Sequence, residues 1–388
     1  MPSSTSSQKV IPGLLSPKIK KELGNCLLYT FFWGLLAHAY GFLHYTFSHD
    51  SLNALYADAV EEGWKIQIGR IFVPAYRALT RGAIAMPWLI GFLSLVWIAL
   101  TVFLIIKIFK VRDKLTIFMI AGVFATNVTV SAGAATYIYE LDINMFALLL
   151  SAFAVFLWYR YQWGFLPGAV VLTLSLGLYQ TYFTVSITLI LFACIMDLLN
   201  QEPFQKVVLH GLKGVGMLLL GTGLYLVLLP LFGQLAGVSL DTGTYNSMIS
   251  LSSLFQISTL DHISETYLYW LKSYTAFTIS RYQIHIMAAI HVLLAAVLFL
   301  CVLSAILKKQ IHVKEKILIL VLGMLIPLGI DLVYILSGGV VHYLMKFSFW
   351  LIYLLAFLLI NWCVDHDFSP KWSILLRCLR GLVFLLIA

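Results

Sequence analysis

The chain has 388 residues, of which 11% are charged and 61% hydrophobic, and its formal net charge is +8. Soluble domains hold about 25% charged residues, so these values exclude a soluble enzyme or scaffold and indicate an all-α polytopic membrane protein. The positive charge does not point to nucleic acid, because the basic residues are scattered through short connecting segments with no aromatic-basic binding module beside them.

In chain order, the polar segment 1–25, "MPSSTSSQKVIPGLLSPKIKKELGN", lacks the short apolar region and small-residue cleavage site of a signal peptide. It is expected to stay on the protein. Apolar runs long enough to cross a hydrocarbon core of roughly 30 Å then recur along the whole chain. The predicted spans are 26–47, 87–106, 115–136, 143–158, 166–179, 183–199, 214–232, 283–306, 317–336, 347–363 and 372–388. That is a bundle of 10–11 transmembrane helices in one domain over 1–388, with no separate soluble unit. The spans 166–179 and 183–199 are short, and one bent helix pair dipping around "GLYQTY" is the alternative to two full crossings. The last run ends with the chain itself, so its span is expected to be incomplete or the natural protein longer. Cys26, Cys194, Cys301, Cys363 and Cys378 lie in or beside apolar runs without metal-ligand spacing, as small lipophilic side chains. The tripeptide "NVT" at 127–129 matches a glycosylation pattern, but it falls inside a span.

Lys and Arg mark cytoplasmic loops. Lys9, Lys18, Lys20 and Lys21 therefore place the N-terminus in the cytoplasm, and the alternation of spans makes a test. Segments then predicted to be inside hold 18 of the 25 basic residues. The outer segments hold seven, Lys65, Arg70, Arg77, Arg81, Lys272, Arg281 and Lys346, with nine acids that include Asp50, Asp58, Glu61, Glu62, Glu140 and Asp142. The orientation is self-consistent.

Two outer segments are long, 48–86 and 233–282. In the first, "SLNALYADAVEEGWK" and "GRIFVPAYRALT" have the pattern of short amphipathic helices lying at the membrane interface. Such helices can roof a cavity that opens at the bilayer surface. The other outer turns bring Tyr139, Glu140 and Asp142, then Tyr179 and Gln180, then His342, Tyr343 and Lys346. Acids, aromatics and a few bases on one face make the inventory of a sugar site with an anionic anchor. Solvated loop faces and interfacial tyrosine belts would account for many of the same residues. Asp331, inside a span, must find a partner or water, and pairing within the bundle is the simpler account. Asp50, preceded by His49, stands where the first span leaves the membrane. A helix end can hold it there against a substrate proton, as a general base requires.

The acid at the outer end of the first span, "W-x-x-x-x-GR" from Trp64 to Arg70, the "P-x-L" span start at Met86–Leu89, "YIYELD" and "SLGLYQT" together resemble the Gtr type II family of bacterial O-antigen glucosyltransferases, within the GT-C superfamily. The resemblance covers most of 25–363. It implies an inverting hexosyltransferase in the bacterial cytoplasmic membrane that moves a sugar, typically glucose, from a polyprenyl-phosphate donor to a cell-surface polysaccharide or lipid-linked glycan on the outer face. Asp50 would be the base. Arg70, Arg281, Lys346 and His342 would hold the donor phosphate, and His49, Asp58, Glu62, Tyr139, Glu140, Asp142, Tyr179 and Gln180 would contact sugar or acceptor. A divalent cation is a candidate cofactor, because acids near phosphate serve as base or as ligand. A flippase for lipid-linked saccharides and a polysaccharide polymerase are the competing classes.

Overall fold

The computed structural model describes residues 16–44, 48, 59–82, 85–241, 258–276, 278–279, 282–283, 285–307, 311–365 and 381. The chain folds into a helical bundle: α1 Pro17–Leu43, α2 Ala59–Gln67, α3 Val73–Thr80, α4 Pro87–Ile108, α5 Lys114–Thr126, α6 Val128–Thr136, α7 Ile138–Arg160, α8 Phe165–Leu178, α9 Phe183–Leu199, α10 Phe204–Ala236, α11 Ser258–Thr275, α12 His285–Leu307, α13 Val313–Ile330, α14 Leu332–Leu336 and α15 Leu351–Asp365. Three 3₁₀ turns, Gln180–Tyr182, Tyr343–Met345 and Phe347–Trp350, complete the described helical structure. One antiparallel hairpin pairs β1 Thr278–Ile279 with β2 Tyr282–Gln283. Helices dominate because a backbone in lipid must satisfy its own hydrogen bonds.

Among the described residues eight helices are long and apolar enough to cross a membrane, fewer than the 10–11 spans read from hydropathy. Span 166–179 is the 14-residue α8, too short by itself. Span 317–336 is broken at Asp331, where α13 stops and α14 begins. Span 372–388 lies outside the described residues apart from Gly381. Span 115–136 is interrupted at Asn127, whose side chain accepts from Val130 N at 3.1 Å and donates to Val123 O and Phe124 O at 2.9 and 3.1 Å. Those bonds consume its amide, so the glycosylation pattern there is occupied by a helix cap.

The core is built around α7, which packs against α4 and α8; α8 packs in turn on α10, and α1 lies along α4 and α5. The α8–α10 contact is close because Gly221 has no side chain: a Cβ there would sit 2.9 Å from Ala169 O, and Thr173 Oγ1 donates to Gly221 O across the same seam at 2.9 Å. Large apolar side chains such as Phe32 and Leu36 of α1 and Leu219 and Val227 of α10 remain exposed on the outside of the bundle. In lipid this exposure costs nothing, and it is the surface expected of a membrane-embedded fold.

Candidate active site

The site begins with a helix stop. At the end of α2, Gly69 has φ 85°, its N–H reaches Ile66 O at 2.9 Å, and Arg70 N–H reaches Lys65 O at 2.8 Å. This pair of bonds is a Schellman motif, which needs a left-handed residue and hence favours glycine. It turns the chain back so that α2 and α3 form a short helical hairpin. The hairpin is held from below by backbone and side-chain bonds: Phe72 N–H to Gly177 O at 2.8 Å, Gln180 Nε2 to Ile68 O at 2.9 Å, and Tyr225 OH to Gly69 O at 2.9 Å. Gln180 Nε2 also donates to Tyr225 OH at 3.1 Å.

Docked this way, the hairpin places its basic residues inward against the first turns of α7. Arg70 Nη1 donates to Glu140 Oε2 at 2.6 Å, and Lys65 pairs with the other oxygen of Glu140 and with Glu61, 3.4 Å away one helical turn earlier. Arg77 holds Glu61 in a two-point pair, one bond at 3.1 Å. Arg81 Nε donates to Asp142 Oδ2 at 2.8 Å and its Nη2 to Tyr139 O at 2.5 Å; Tyr76 OH adds a bond to Asp142 Oδ2 at 3.3 Å. Trp97 Nε1 in turn donates to Tyr76 OH at 3.0 Å. Glu140 lies in the first turn of α7, where the helix dipole favours a carboxylate.

These side chains are buried. Lys65 is 1% exposed, Arg77 2% and Asp142 0%. Burial pulls the Lys65 amine well below the ordinary lysine range, with the Arg70 charge adding to that and Glu61 opposing it. Glu61 goes the other way from a simple buried acid: burial raises it, but the Arg77 bond and the Lys65 charge outweigh burial and hold it below 4.5. Among the described residues the network brings four basic side chains, Lys65, Arg70, Arg77 and Arg81, against three carboxylates, Glu61, Glu140 and Asp142. Arg70 Nε and Arg77 Nε are buried donors with no acceptor among the described residues. Buried guanidinium donors left open beside carboxylates that are already paired suit an anionic group.

From this cluster a row of rings runs along the same end of the bundle. The Arg70 guanidinium lies 4.4 Å from the Tyr179 ring centre, and Lys65 Nζ lies 5.9 Å from Tyr139. Tyr139 neighbours Tyr137 at 6.2 Å, Tyr137 neighbours His342 at 5.9 Å, and His342 neighbours Tyr343 at 6.2 Å between centres. Thr129 Oγ1 ties the Tyr343 turn to α6 through Tyr343 O at 3.0 Å. The row ends at Lys346, whose Nζ is 4.6 Å from the Tyr269 ring and 5.9 Å from Tyr343. Lys346 lines a cavity of about 430 Å³ together with Tyr269, Lys272, Ser273 and Trp350. Burial lowers the Lys346 amine, while the charge of Asp331 opposes that fall. Asp331 is itself buried, and its Oδ2 has no hydrogen-bond partner among the described residues. Hydroxyl-bearing rings flanked by cations can receive the face of a sugar next to a phosphate.

Of the residues singled out from sequence, Arg70, Tyr139, Glu140, Asp142, Tyr179 and Gln180 come together in the cluster. His342 and Lys346 stand at the far end of the row. Glu62 is half-buried on α2 and joins none of the ion pairs. His49, Asp50, Asp58 and Arg281 lie outside the described residues. Tyr139 and Tyr179 are buried rather than set in a lipid-facing belt. Sequence reasoning passed over Lys65, Glu61, Arg77 and Arg81 as site residues. Their signal was the crowding of four of the seven outer-side basic residues into 65–81, where such residues are otherwise avoided. Among the described residues no three His, Cys, Asp or Glu side chains converge as metal ligands.

A family model described as Glucosyl transferase GtrII matches residues 39–361, a stretch that contains the whole cluster and the aromatic row. Searches of curated proteins and of solved structures return no match.

Proposed function

Since the chain belongs to the GtrII glucosyl transferase family, we propose that it transfers glucose from a polyprenyl-phosphate donor to a surface polysaccharide or lipid-linked glycan. The whole chain acts as one transferase unit in the bacterial cytoplasmic membrane, with its N-terminus in the cytoplasm and the Arg70 cluster on the outer face. The observation that carries this reading is the buried cluster of four basic side chains, in which Arg70 Nε and Arg77 Nε have no acceptor among the described residues, set beside a row of tyrosines. An anion followed by a sugar is the ligand such an arrangement complements.

The chemistry is a single displacement. An acceptor hydroxyl oxygen attacks the anomeric carbon of glucose, the bond from that carbon to the phosphate oxygen breaks, and polyprenyl phosphate leaves with the electron pair. In-line attack inverts the anomeric centre. The hydroxyl proton goes to Asp50. Ser48, two residues before it in the chain, is tethered through Oγ to Thr136 O at 2.6 Å, immediately before the Tyr137–Asp142 turn. Arg70, which shares Glu140 with Lys65, would neutralise the charge that grows on the departing phosphate, and Lys346 and His342 would hold the donor at the other end of the ring row.

The test is turnover of polyprenyl-phosphate glucose by purified protein with glycan acceptors. Asp50→Asn keeps shape but cannot take the proton, and loss of a general base costs roughly 10²–10⁴ in rate. Donor cleavage that persists near the wild-type rate in Asp50→Asn would assign the base elsewhere. Movement of the donor across liposomes without cleavage would mean a flippase instead.

A further inference from the structure

At the opposite end of α7 lies a second feature that glucosyl transfer does not use. From Ile138 to Arg160 that helix runs roughly 33 Å at 1.5 Å per residue, so its two ends stand at the two faces of a bilayer. Around Arg160 the ends of α4, α7 and α9 meet the starts of α1 and α10 and enclose a cavity of about 690 Å³. Four cations line it: Lys107, Lys110, Arg160 and Lys206. Its deeper wall is apolar, formed by Phe103 and Phe156.

The cations are not all used by the protein. Lys107 pairs with Glu22, and Lys206 pairs with Glu202 at 2.7 Å. Two acids line the wall: Glu202, taken up by Lys206, and Asp197, which accepts from Tyr159 OH at 2.8 Å and lies 4.0 Å from His210 Nδ1. Lys110 and Arg160 form no ion pair within 4.0 Å among the described residues, and both are exposed at the mouth; the charge of Lys110 reaches Asp197 and Glu202 only at longer range. Lys110 is held in a left-handed conformation, φ 56°, where α4 gives way to the turn before α5. Charged mouth, apolar floor and a depth at the helix ends describe an amphiphile with an anionic head.

We propose that this cavity is a binding site for an anionic glycerophospholipid, its phosphate between Lys110 and Arg160 and its upper acyl chain against Phe103 and Phe156. Basic pockets between helices on the cytoplasmic side of membrane proteins take such headgroups. The competing explanation is local: Lys107 and Arg160 sit in the last turns of their helices, where a cation stabilises the dipole without any ligand.

Native mass spectrometry of the purified full chain in micelles doped with either phosphatidylglycerol or phosphatidylcholine separates the two. The site predicts one phosphatidylglycerol retained selectively, with preference over phosphatidylcholine falling roughly thirtyfold in Lys110→Gln/Arg160→Gln, at about 1 kcal/mol for each basic side chain. Lys213→Gln, which removes a cation from the same end of the bundle but outside the cavity lining, should leave that preference intact. Thermal stability should rise with phosphatidylglycerol in the wild type and not in the double variant. The proposal is overturned if the two lipids are retained equally, if Lys213→Gln has the same effect as the double variant, or if the double variant loses equal stability in both lipids.

Discussion

Replacing Asp142 by Asn tests whether the buried ion network is the structural keel of the site. Asp142 is fully buried and accepts from Arg81 Nε at 2.8 Å, and the Arg81 side chain is 1% exposed. At that separation and an effective dielectric near 20 the attraction is roughly 6 kcal/mol. Removing one partner of a buried pair costs about 3–5 kcal/mol, because the remaining charge stays desolvated. The amide oxygen of Asn can still accept from Arg81 or Tyr76, which puts the expected loss near the lower end, about 3 kcal/mol. Arg81→Met should also destabilise, but Asp142→Asn/Arg81→Met should lose at least ~2 kcal/mol less than the sum of the singles, since neither charge is then stranded. Denaturant unfolding of purified protein in detergent, followed by tryptophan fluorescence, reads all four corners of the cycle. A single variant within ~0.5 kcal/mol of wild type, or strict additivity, would refute the claim that Arg81 depends on Asp142 for its charge.

Two further outcomes follow from the same hairpin. Glu61 is held below its ordinary value of 4.5, so its contribution to stability is fully present above that pH and is lost as pH falls through the lower folded value. Unfolding midpoints should therefore drop in acid below about 4.5, and Arg77→Met should flatten that dependence; an unchanged acid limb would refute it. At Gly177 a Cβ would lie 2.3 Å from the Phe72 ring and 3.0 Å from Ile71 Cγ1. Gly177→Ala should cost about 1–3 kcal/mol by overpacking and lower transfer per folded molecule, because the displaced residues follow Arg70 directly. Normal turnover in a folded Gly177→Ala protein would show that the hairpin's seat does not set the position of Arg70.

Much of the architecture was legible in the residues themselves. Ten of the eleven apolar runs correspond to described helical segments, since lipid leaves a spanning backbone few choices. The two short helices in the first outer segment were legible for a similar reason, their period-3.6 patterning around Gly69. The breaks at Asn127 and Asp331 were not, because hydropathy averages over one polar residue, whereas the backbone must find a new hydrogen-bonding arrangement around it. The site was half legible: a tyrosine or an acid at a span end announces that something polar happens there, without saying which way it faces.

What the sequence by itself determined was the class of molecule, the set of apolar segments and the family, all properties of local composition and order. Only the tertiary structure decided that Lys65, Arg70, Arg77 and Arg81 turn inward. Arg70 meets Glu140 from 70 positions away, and Arg81 meets Asp142 from 61. Periodicity along α2 and α3 shows the same amphipathic pattern whether the charged face looks to water or to buried carboxylates. The choice is made by the first turns of α7, which present Glu140 and Asp142 where the hairpin docks, because desolvated cations are tolerable only against opposite charge.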